Sequence, residues 1–531
     1  MSMNTRRYQS KYSRYLEEDP GESRWADPRE IEESNSRVCI SEGELRCSGL
    51  PLISDGDRVT VNSADDHAVI FGSTGSKKTR CIVLPMINMM LRSGESVVCT
   101  DPKGELYAAT AESAAKLGYE VAVLNFRNFA SGDGYNPLSE IYDAYHSGRQ
   151  DEAMEQIDDI ITALAAEEKS SASEPLWYRS ASMLGTANLL LLMELADKST
   201  ANMSSFTRLC LEDSSELLRD LSSLMSPDSV AGMNYRSVFG QPDRTRMSTQ
   251  TTLAGMVQPF ISNTALRNML SETTFDFGSV GRKKTAVYII LSDEKPTYYF
   301  LVSLFIKQLY ERLIREAQQL PGGKLPVRVN YLLEEFGAVP RIHGFECAVT
   351  AARSRNIRFY LVLQSLAQLK DRYGQTGAEV IKGNCTDWVF LSSKELPLLN
   401  EISELCGVRH GRALISPSEL QRLRKGSRTE ALILNGRNYP FLAELPDISE
   451  YRAFGGGEPA QLPERRFGES RSLPFEELYE AIMSGRERCP FSEGEELADP
   501  FGEEVRLKQE LARKIEELFA EEGAIDNQSD K

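Results

Sequence analysis

The chain of 531 residues is 41% hydrophobic and 26% charged; it is too long for one core and is predicted to form two or three domains. Its net charge of −17 argues against a protein that coats nucleic acid over its whole surface, although a local basic channel is compatible with that charge. No apolar run reaches the roughly 18 residues of a membrane span, and nine cysteines without paired spacing argue against a disulfide framework or a zinc site and fit a reducing cytosol.

In chain order, a polar N-terminal segment, residues 1–40, precedes a region in which short apolar runs alternate with amphipathic runs. This alternation predicts an α/β fold with a mainly parallel sheet that helices cover on both faces. The predicted strands are residues 45–54, 58–61, 68–71, 96–100 and 120–124, and the predicted helices are residues 79–91 and 105–117.

From residue 136 to residue 275 the apolar periodicity becomes helical, which predicts an all-α domain inserted into the α/β core. The nucleotide-binding domain would then comprise residues 41–135 and 276–450. Its later strands are predicted at residues 285–291, 327–333, 357–363 and 388–391, with a terminal hairpin at 430–434 and 439–442.

The acidic C-terminal tail, residues 451–531, contains one amphipathic stretch that predicts a helix. The helix either packs on the body of the protein or forms an acidic docking element for a partner. Its apolar face comprises Leu507, Leu511, Ile515, Leu518 and Phe519.

The segment from His67 to Arg80 has the pattern of a strand, a glycine-rich turn and a helix start, which is typical of a P-loop. Turn backbone N–H groups can converge on phosphate oxygens, Lys78 would pair with the β- and γ-phosphates of ATP, and the Thr79 hydroxyl would ligate Mg²⁺. Lys77 replaces the usual second glycine; a left-handed backbone there costs about 1 kcal/mol, and the added ammonium would attract phosphate. The predicted cofactor-binding residues are Gly72, Ser73, Thr74, Gly75, Ser76, Lys77, Lys78, Thr79 and Arg80.

A second hydrolysis element follows far downstream, where an apolar run ends in Glu334 and Glu335. In a Walker B element the first carboxylate holds the Mg²⁺ shell and the second polarises the attacking water. Taken alone, two acids after an apolar strand usually mark only a solvated strand end. Glu334 stands where aspartate is more usual, so its carboxylate would be displaced by about one C–C bond.

Three polar residues around the next strand complete the candidate catalytic set. Gln364, at the end of a strand that should adjoin Walker B, is placed to sense the γ-phosphate or orient water. Arg353 or Arg355 could reach a neighbouring subunit's nucleotide as an arginine finger. The alternatives are a polar strand cap for Gln364 and surface ion pairs for the two arginines.

Six segments in this order resemble the type IV secretion coupling proteins, the TraG/TraD-like conjugation ATPases, over about residues 60–450. The segments are GSTGSKKTR, DPKGELY, YNPL, LLEEFGAVPRI, RSRNIRFYLVLQS and QLKDRYGQTGAEVIKGNC. A P-loop alone would be weak support, whereas six linked segments are specific.

The resemblance implies a RecA-like P-loop ATPase that assembles as a homohexamer and pumps single-stranded DNA, with its attached relaxase, into a type IV secretion channel. On the family pattern, the all-α domain would receive the relaxosome. Because most members begin with a transmembrane hairpin, this chain would be either a cytoplasmic member that meets the membrane through a separate partner protein or a fragment that lacks its anchor.

Lys77 and Glu334 are both departures within the catalytic site, so the rate of hydrolysis is open. A nucleotide-binding adaptor that recruits substrates without motor activity is the competing hypothesis. A chromosomal DNA pump of the FtsK/HerA type is a third, and the DPKGELY and RYGQTGAEVIKGN segments favour the conjugation family over it.

Overall fold

The computed structural model describes residues 22–168, 175–211, 218–219, 222–223, 225–292, 296–436, 438–454, 459–476 and 480. The strands of this part of the chain are β1 (Ser36–Cys39), β2 (Leu50–Ser54), β3 (Arg58–Asn62), β4 (His67–Gly72), β5 (Ser96–Asp101), β6 (Glu120–Asn125), β7 (Thr285–Ile290), β8 (Val329–Leu333), β9 (Ile357–Leu363), β10 (Cys385–Ser392), β11 (Val408–Arg409), β12 (Arg412–Ala413), β13 (Arg428–Asn435) and β14 (Phe441–Pro446).

The α-helices of the same residues alternate with these strands or lie together between β6 and β7. They are α1 (Pro28–Ser34), α2 (Leu84–Arg92), α3 (Glu105–Lys116), α4 (Ser139–His146), α5 (Gln150–Glu168), α6 (Pro175–Leu195), α7 (Met203–Leu211), α8 (Val230–Phe239), α9 (Asp243–Ile261), α10 (Thr264–Met269), α11 (Ser279–Arg282), α12 (Tyr299–Gln319), α13 (Phe345–Ala351), α14 (Leu366–Asn384), α15 (Leu396–Leu405) and α16 (Pro417–Leu420).

The central sheet has nine strands in the order β14-β13-β10-β4-β9-β8-β5-β7-β6. Strands β4 to β10 run parallel to one another, while β13 and β14 form an antiparallel hairpin on one edge, where β13 pairs antiparallel with β10. The prediction of a mainly parallel α/β sheet with a terminal hairpin is therefore confirmed. A smaller antiparallel sheet, β1-β3-β2, lies outside it.

Helices cover both faces of the central sheet, as strand β4 illustrates. Val69 and Phe71 are buried in one apolar core, and Ala68 and Ile70 are buried in the other. Successive side chains of a strand point to opposite faces, so a strand that is apolar at every position must be covered twice.

All described elements between Ser139 and Met269 are α-helices, within the interval predicted as an all-α domain. An aromatic cluster lies just before them in the chain and packs against α12. Tyr135 packs edge-on against Phe305 of α12 at 5.1 Å between ring centroids, and its hydroxyl donates to Gln308 Oε1 at 2.7 Å. The exact domain boundaries stay a prediction.

Parts of both the N-terminal segment and the C-terminal tail belong to the folded structure. The predicted polar N-terminal segment contains regular structure, since Asp27 caps α1 and β1 pairs with β3. Part of the tail lies against the body, where Ala460 N donates to Ala108 O at 2.8 Å and Phe475 is buried. The predicted amphipathic helix around Leu511 lies outside the described residues. No helix in the described ranges has both the length and the apolarity to cross a membrane.

Candidate nucleotide-binding site

The turn after β4 has the tight backbone of a phosphate-binding loop. Gly75 and Lys77 both have positive φ, at 72° and 67°, so Lys77 adopts the left-handed conformation for which a glycine is usual. A Cβ added to Gly72 would lie 2.4 Å from Ser76 Oγ and 2.9 Å from Lys78 Cγ. The loop therefore folds closely over Gly72.

The two residues predicted to touch the triphosphate and its metal lie at the helix start that follows the loop. Lys78 is buried and its Nζ donates to Gly72 O, and burial lowers the pKa of this amine. Thr79 Oγ1 donates to Glu334 Oε1 at 2.7 Å. The P-loop and the Walker B element thus meet, with a π-helical turn from Thr79 to Val83 leading into α2.

The Walker B acids follow strand β8 and lie in two different environments. Glu334 is buried, and burial raises the pKa of its carboxyl to about 7. Glu335 has a left-handed backbone, with φ of 52°, and its two carboxylate oxygens accept hydrogen bonds from Gln364 Nε2 at 2.9 and 2.7 Å. Thr74 Oγ1 donates to Gln364 Oε1 at 3.3 Å.

Gln364 follows strand β9, which lies between β4 and β8 in the sheet. The prediction that its strand adjoins Walker B is confirmed. The carboxyl ends of three neighbouring parallel strands therefore bring together the P-loop, the two acids and the glutamine.

Two predicted cofactor-binding side chains have other partners. Lys77 Nζ donates to Gly426 O at 2.7 Å and contacts Asp447 Oδ2 at 3.4 Å, and Arg80 forms two hydrogen bonds to Asp447 at 2.8 and 2.5 Å. The expected attraction of the Lys77 ammonium for phosphate is not supported, because a carbonyl and a carboxylate at the open end of the β13–β14 hairpin hold it.

The two candidate arginine fingers lie just before β9, at the amino ends of the parallel strands, whereas the P-loop lies at their carboxyl ends. Arg353 donates to Asn384 O and to Thr386 Oγ1, and Arg355 has a long hydrogen bond to Gly323 O at 3.5 Å. Within one chain they are therefore separate from the triphosphate site, because strand β9 lies between them and Gln364. A role in a neighbouring subunit's site stays a prediction.

Sequence reasoning assigned no role to Asp101, which ends strand β5 beside Walker B. It is fully buried; its Oδ2 accepts from Tyr107 N at 2.8 Å, while its Oδ1 has no hydrogen-bond partner. Burial raises the pKa of this carboxyl, and its charge acts on Glu334. The DPKGELY segment, whose first residue is Asp101, was the sequence feature that could have pointed to this carboxylate.

The residues present fit a nucleotide with Mg²⁺. The buried Ser76 Oγ and Asp101 Oδ1 lack hydrogen-bond partners, and a Thr79 hydroxyl beside the Glu334 carboxyl is an oxygen donor set that Mg²⁺ accepts. Over the described ranges, no group of three or more His, Cys, Asp or Glu side chains could hold a metal ion. Phosphate oxygens and water would therefore have to complete the Mg²⁺ shell.

Comparison with known proteins agrees with this geometry. Residues 29–429 match the family model of type IV secretory system conjugative DNA transfer proteins. The chain is 24% identical over 399 residues to the protein VirD4 of Rhizobium radiobacter, covering 73% of this chain and 55% of the relative. It is also 24% identical over 411 residues to the conjugal transfer protein TraG of Escherichia coli, covering 71% and 62%.

The fold is similar to that of the plasmid coupling protein TrwB. Against the structure of TrwB with the GTP analogue GDPNP, the TM-score is 0.56 and the sequence identity is 15%, and the match covers 81% of this chain and 96% of TrwB. Against the structure of TrwB with ADP and Mg²⁺, the TM-score is 0.55 and the sequence identity is 16%, and the match covers 82% of this chain and 97% of TrwB. The chain spans about half to three-fifths of the length of the curated relatives that it matches. On the family match over most of its length, the chain belongs to the type IV secretory system conjugative DNA transfer family, the family of the type IV coupling proteins.

Proposed function

We propose that this chain is the ATP-driven motor of a type IV secretion coupling complex. It binds Mg²⁺-ATP at the P-loop, hydrolyses it, and uses the energy to move single-stranded DNA with its attached relaxase towards the secretion channel. The observation that carries the proposal is the continuous contact of P-loop, Walker B and glutamine through the pairs Thr79–Glu334, Gln364–Glu335 and Thr74–Gln364.

Each residue has a distinct task in this proposal. Lys78 would exchange its bond to Gly72 O for phosphate oxygens, and Thr79 with Glu334 would hold the Mg²⁺. Bound Mg²⁺ would offset the charge of the β- and γ-phosphates. Glu335 accepts a proton from the attacking water, and Gln364 keeps that carboxylate oriented.

Family membership supports an assembly and a set of partners that belong to the same proposal. The chain forms a homohexamer with nucleotide between subunits, and the helical region of residues 136–275 receives the relaxosome. Secretion channel proteins hold the hexamer at the cytoplasmic face of the membrane. TrwB structures that contain ADPNP or ADP with Mg²⁺ support the nucleotide part of the proposal.

Binding and turnover should separate in two variants. Lys78→Ala is expected to lose both nucleotide binding and hydrolysis, whereas Glu335→Gln should keep binding and lose turnover by roughly 100-fold or more. Fluorescent-nucleotide titration and a phosphate-release assay measure the two properties. Glu112→Gln, in the exposed pair with Lys116 on α3, is the matched control.

The adaptor hypothesis predicts a different result in the same two assays. Wild-type protein would bind nucleotide but release phosphate no faster than Glu335→Gln. That outcome would reject the motor and leave the chain as a nucleotide-dependent recruitment platform.

A further inference from the structure

Lys77 has an unfavourable backbone conformation at the turn into α2. Its φ of 67° costs about 1 kcal/mol for a residue with a Cβ. A loop with this strain needs contacts elsewhere that hold it in place, or it will sample other conformations. The conformation matters because the next two residues, Lys78 and Thr79, are the predicted phosphate and metal contacts.

Asp447 provides such a contact from a distant part of the chain. Its side chain is 8% exposed, and it accepts two hydrogen bonds from Arg80 and one from Lys77. Ser449 holds the carboxylate from the other side, through its N–H at 3.2 Å and its hydroxyl at 3.0 Å. The carboxylate therefore has partners on both sides and a fixed position.

Hydrogen bonds around Asp447 join the two sides of the open end of the β13–β14 hairpin. Asp447 N donates to Ser427 O at 2.9 Å, which joins the segment after β14 to the segment before β13. Lys77 Nζ donates to the neighbouring carbonyl of Gly426 at 2.7 Å. The P-loop side chains on both flanks of Lys78 and Thr79 are thus attached to the same hairpin end.

We propose that Asp447 is a positioning residue of the nucleotide site, which holds the P-loop in its phosphate-binding form through Lys77 and Arg80. The inference rests on the proposed nucleotide binding and explains how the loop keeps its conformation without the usual glycine. The hydrogen bonds from Arg80 hold the pKa of the Asp447 carboxyl below its usual range, so it stays ionised at neutral pH. The tether is therefore intact at neutral pH.

The test is a double-mutant cycle in the full chain between Asp447→Asn and Lys77→Gly, read as ADP affinity. Asp447→Asn alone is expected to weaken ADP binding about tenfold, because the strained lysine keeps only its bond to Gly426 O and Arg80 loses its charged partner. In the Lys77→Gly background the same change should cost about threefold or less, since glycine needs no tether and only the Arg80 contact is lost. Glu450→Gln, which removes the Arg428 ion pair at the same hairpin end, is the matched control.

A second pair of variants leaves Asp447 in place in case its substitution impairs folding. Lys77→Met should reproduce the loss of affinity, and Lys77→Arg, which keeps a donor of similar length, should restore most of it. Equal losses from Asp447→Asn in both backgrounds would overturn the inference, as would wild-type affinity in Lys77→Met.

Hydrogen exchange of the loop, residues 73–79, tests the tether separately from nucleotide binding. Exchange without nucleotide should be faster in Asp447→Asn and Lys77→Met than in wild type and unchanged in Glu450→Gln. If wild type binds no ADP, the proposed function fails while this readout still decides the tether. Unchanged loop exchange in both variants rejects the tether even where ADP binds.

Discussion

At the scale of single residues, the loop after β4 depends on two glycines for different physical reasons. Gly75 is needed for its backbone angle, since its φ is 72° and no atom lies within 4 Å of an added Cβ. Gly72 is needed for space, because the same addition would meet Ser76 and Lys78. Substitution by alanine should therefore impair the two positions unequally.

Gly72→Ala is expected to weaken nucleotide binding more than Gly75→Ala does. The first change displaces the Lys78 side chain itself and should lower affinity by about 30-fold or more, whereas the second adds only about 1 kcal/mol of backbone strain, or about fivefold. Titration with a fluorescent nucleotide measures both. Equal affinities for the two variants would show that the loop does not close over Gly72 as described.

The residue scale is also where sequence reasoning had its clearest limits. The P-loop, Glu334, Glu335 and Gln364 could be found because their motifs are short and local. The partner of Lys77 and Arg80 could not, because Asp447 lies 370 and 367 residues further along the chain. No local pattern marks a contact that only the folded sheet creates.

At the scale of secondary structure, apolar periodicity predicted the strands of the sheet well. Strand β9 has the predicted bounds, β5 and β6 are one residue longer at one end, and β4 is one residue longer at each end, because buried parallel strands are continuous apolar runs. Leu45, expected to begin a strand, precedes β2 by five residues, since that strand begins at Leu50. The strand order β10-β4-β9-β8 was not readable, because it depends on crossover connections rather than on local pattern.

Strand β10 carries a buried acid that joins the sheets. Asp387 accepts hydrogen bonds from Asn62 Nδ2 of β3 at 2.6 Å and from Asn435 Nδ2 of β13 at 2.8 Å. Burial raises the pKa of its carboxyl from 3.8 to about 6. The folded state therefore binds a proton more tightly than the unfolded state does, and this group's contribution to the free energy of unfolding falls as the pH rises from about 4 to 6.

Asp387→Asn should remove that pH dependence. The variant is expected to be less stable, since an amide cannot accept from both asparagine donors with its two heteroatoms. Its deficit should be largest near pH 4 and should shrink, by on the order of 3 kcal/mol, at pH 7, where the wild type no longer gains from protonation. Urea unfolding of both proteins from pH 4 to 7 measures the difference, and a deficit independent of pH would contradict the assignment. His67 titrates in the opposite sense, because burial lowers its pKa to about 4, so the difference between proteins is the useful quantity.

At the scale of the whole molecule, ion pairs connect the helical region of residues 136–275 to helix α12. Lys307 of α12 contacts Asp159 of α5 at 2.5 Å, and Arg315 of α12 contacts Glu140 of α4 at 2.5 Å. In the chain, helix α12 lies between β7 and β8, and the two Walker B acids follow β8. Under the proposed function, a substrate bound to the helical region would act on the nucleotide site through α12.

The most direct test of the motor is the steady-state ATPase rate of the purified protein with and without single-stranded DNA, measured beside Lys78→Ala. The account predicts turnover that DNA increases severalfold and that Lys78→Ala abolishes at all DNA concentrations. Nucleotide binding without turnover, or turnover that DNA leaves unchanged, would contradict it.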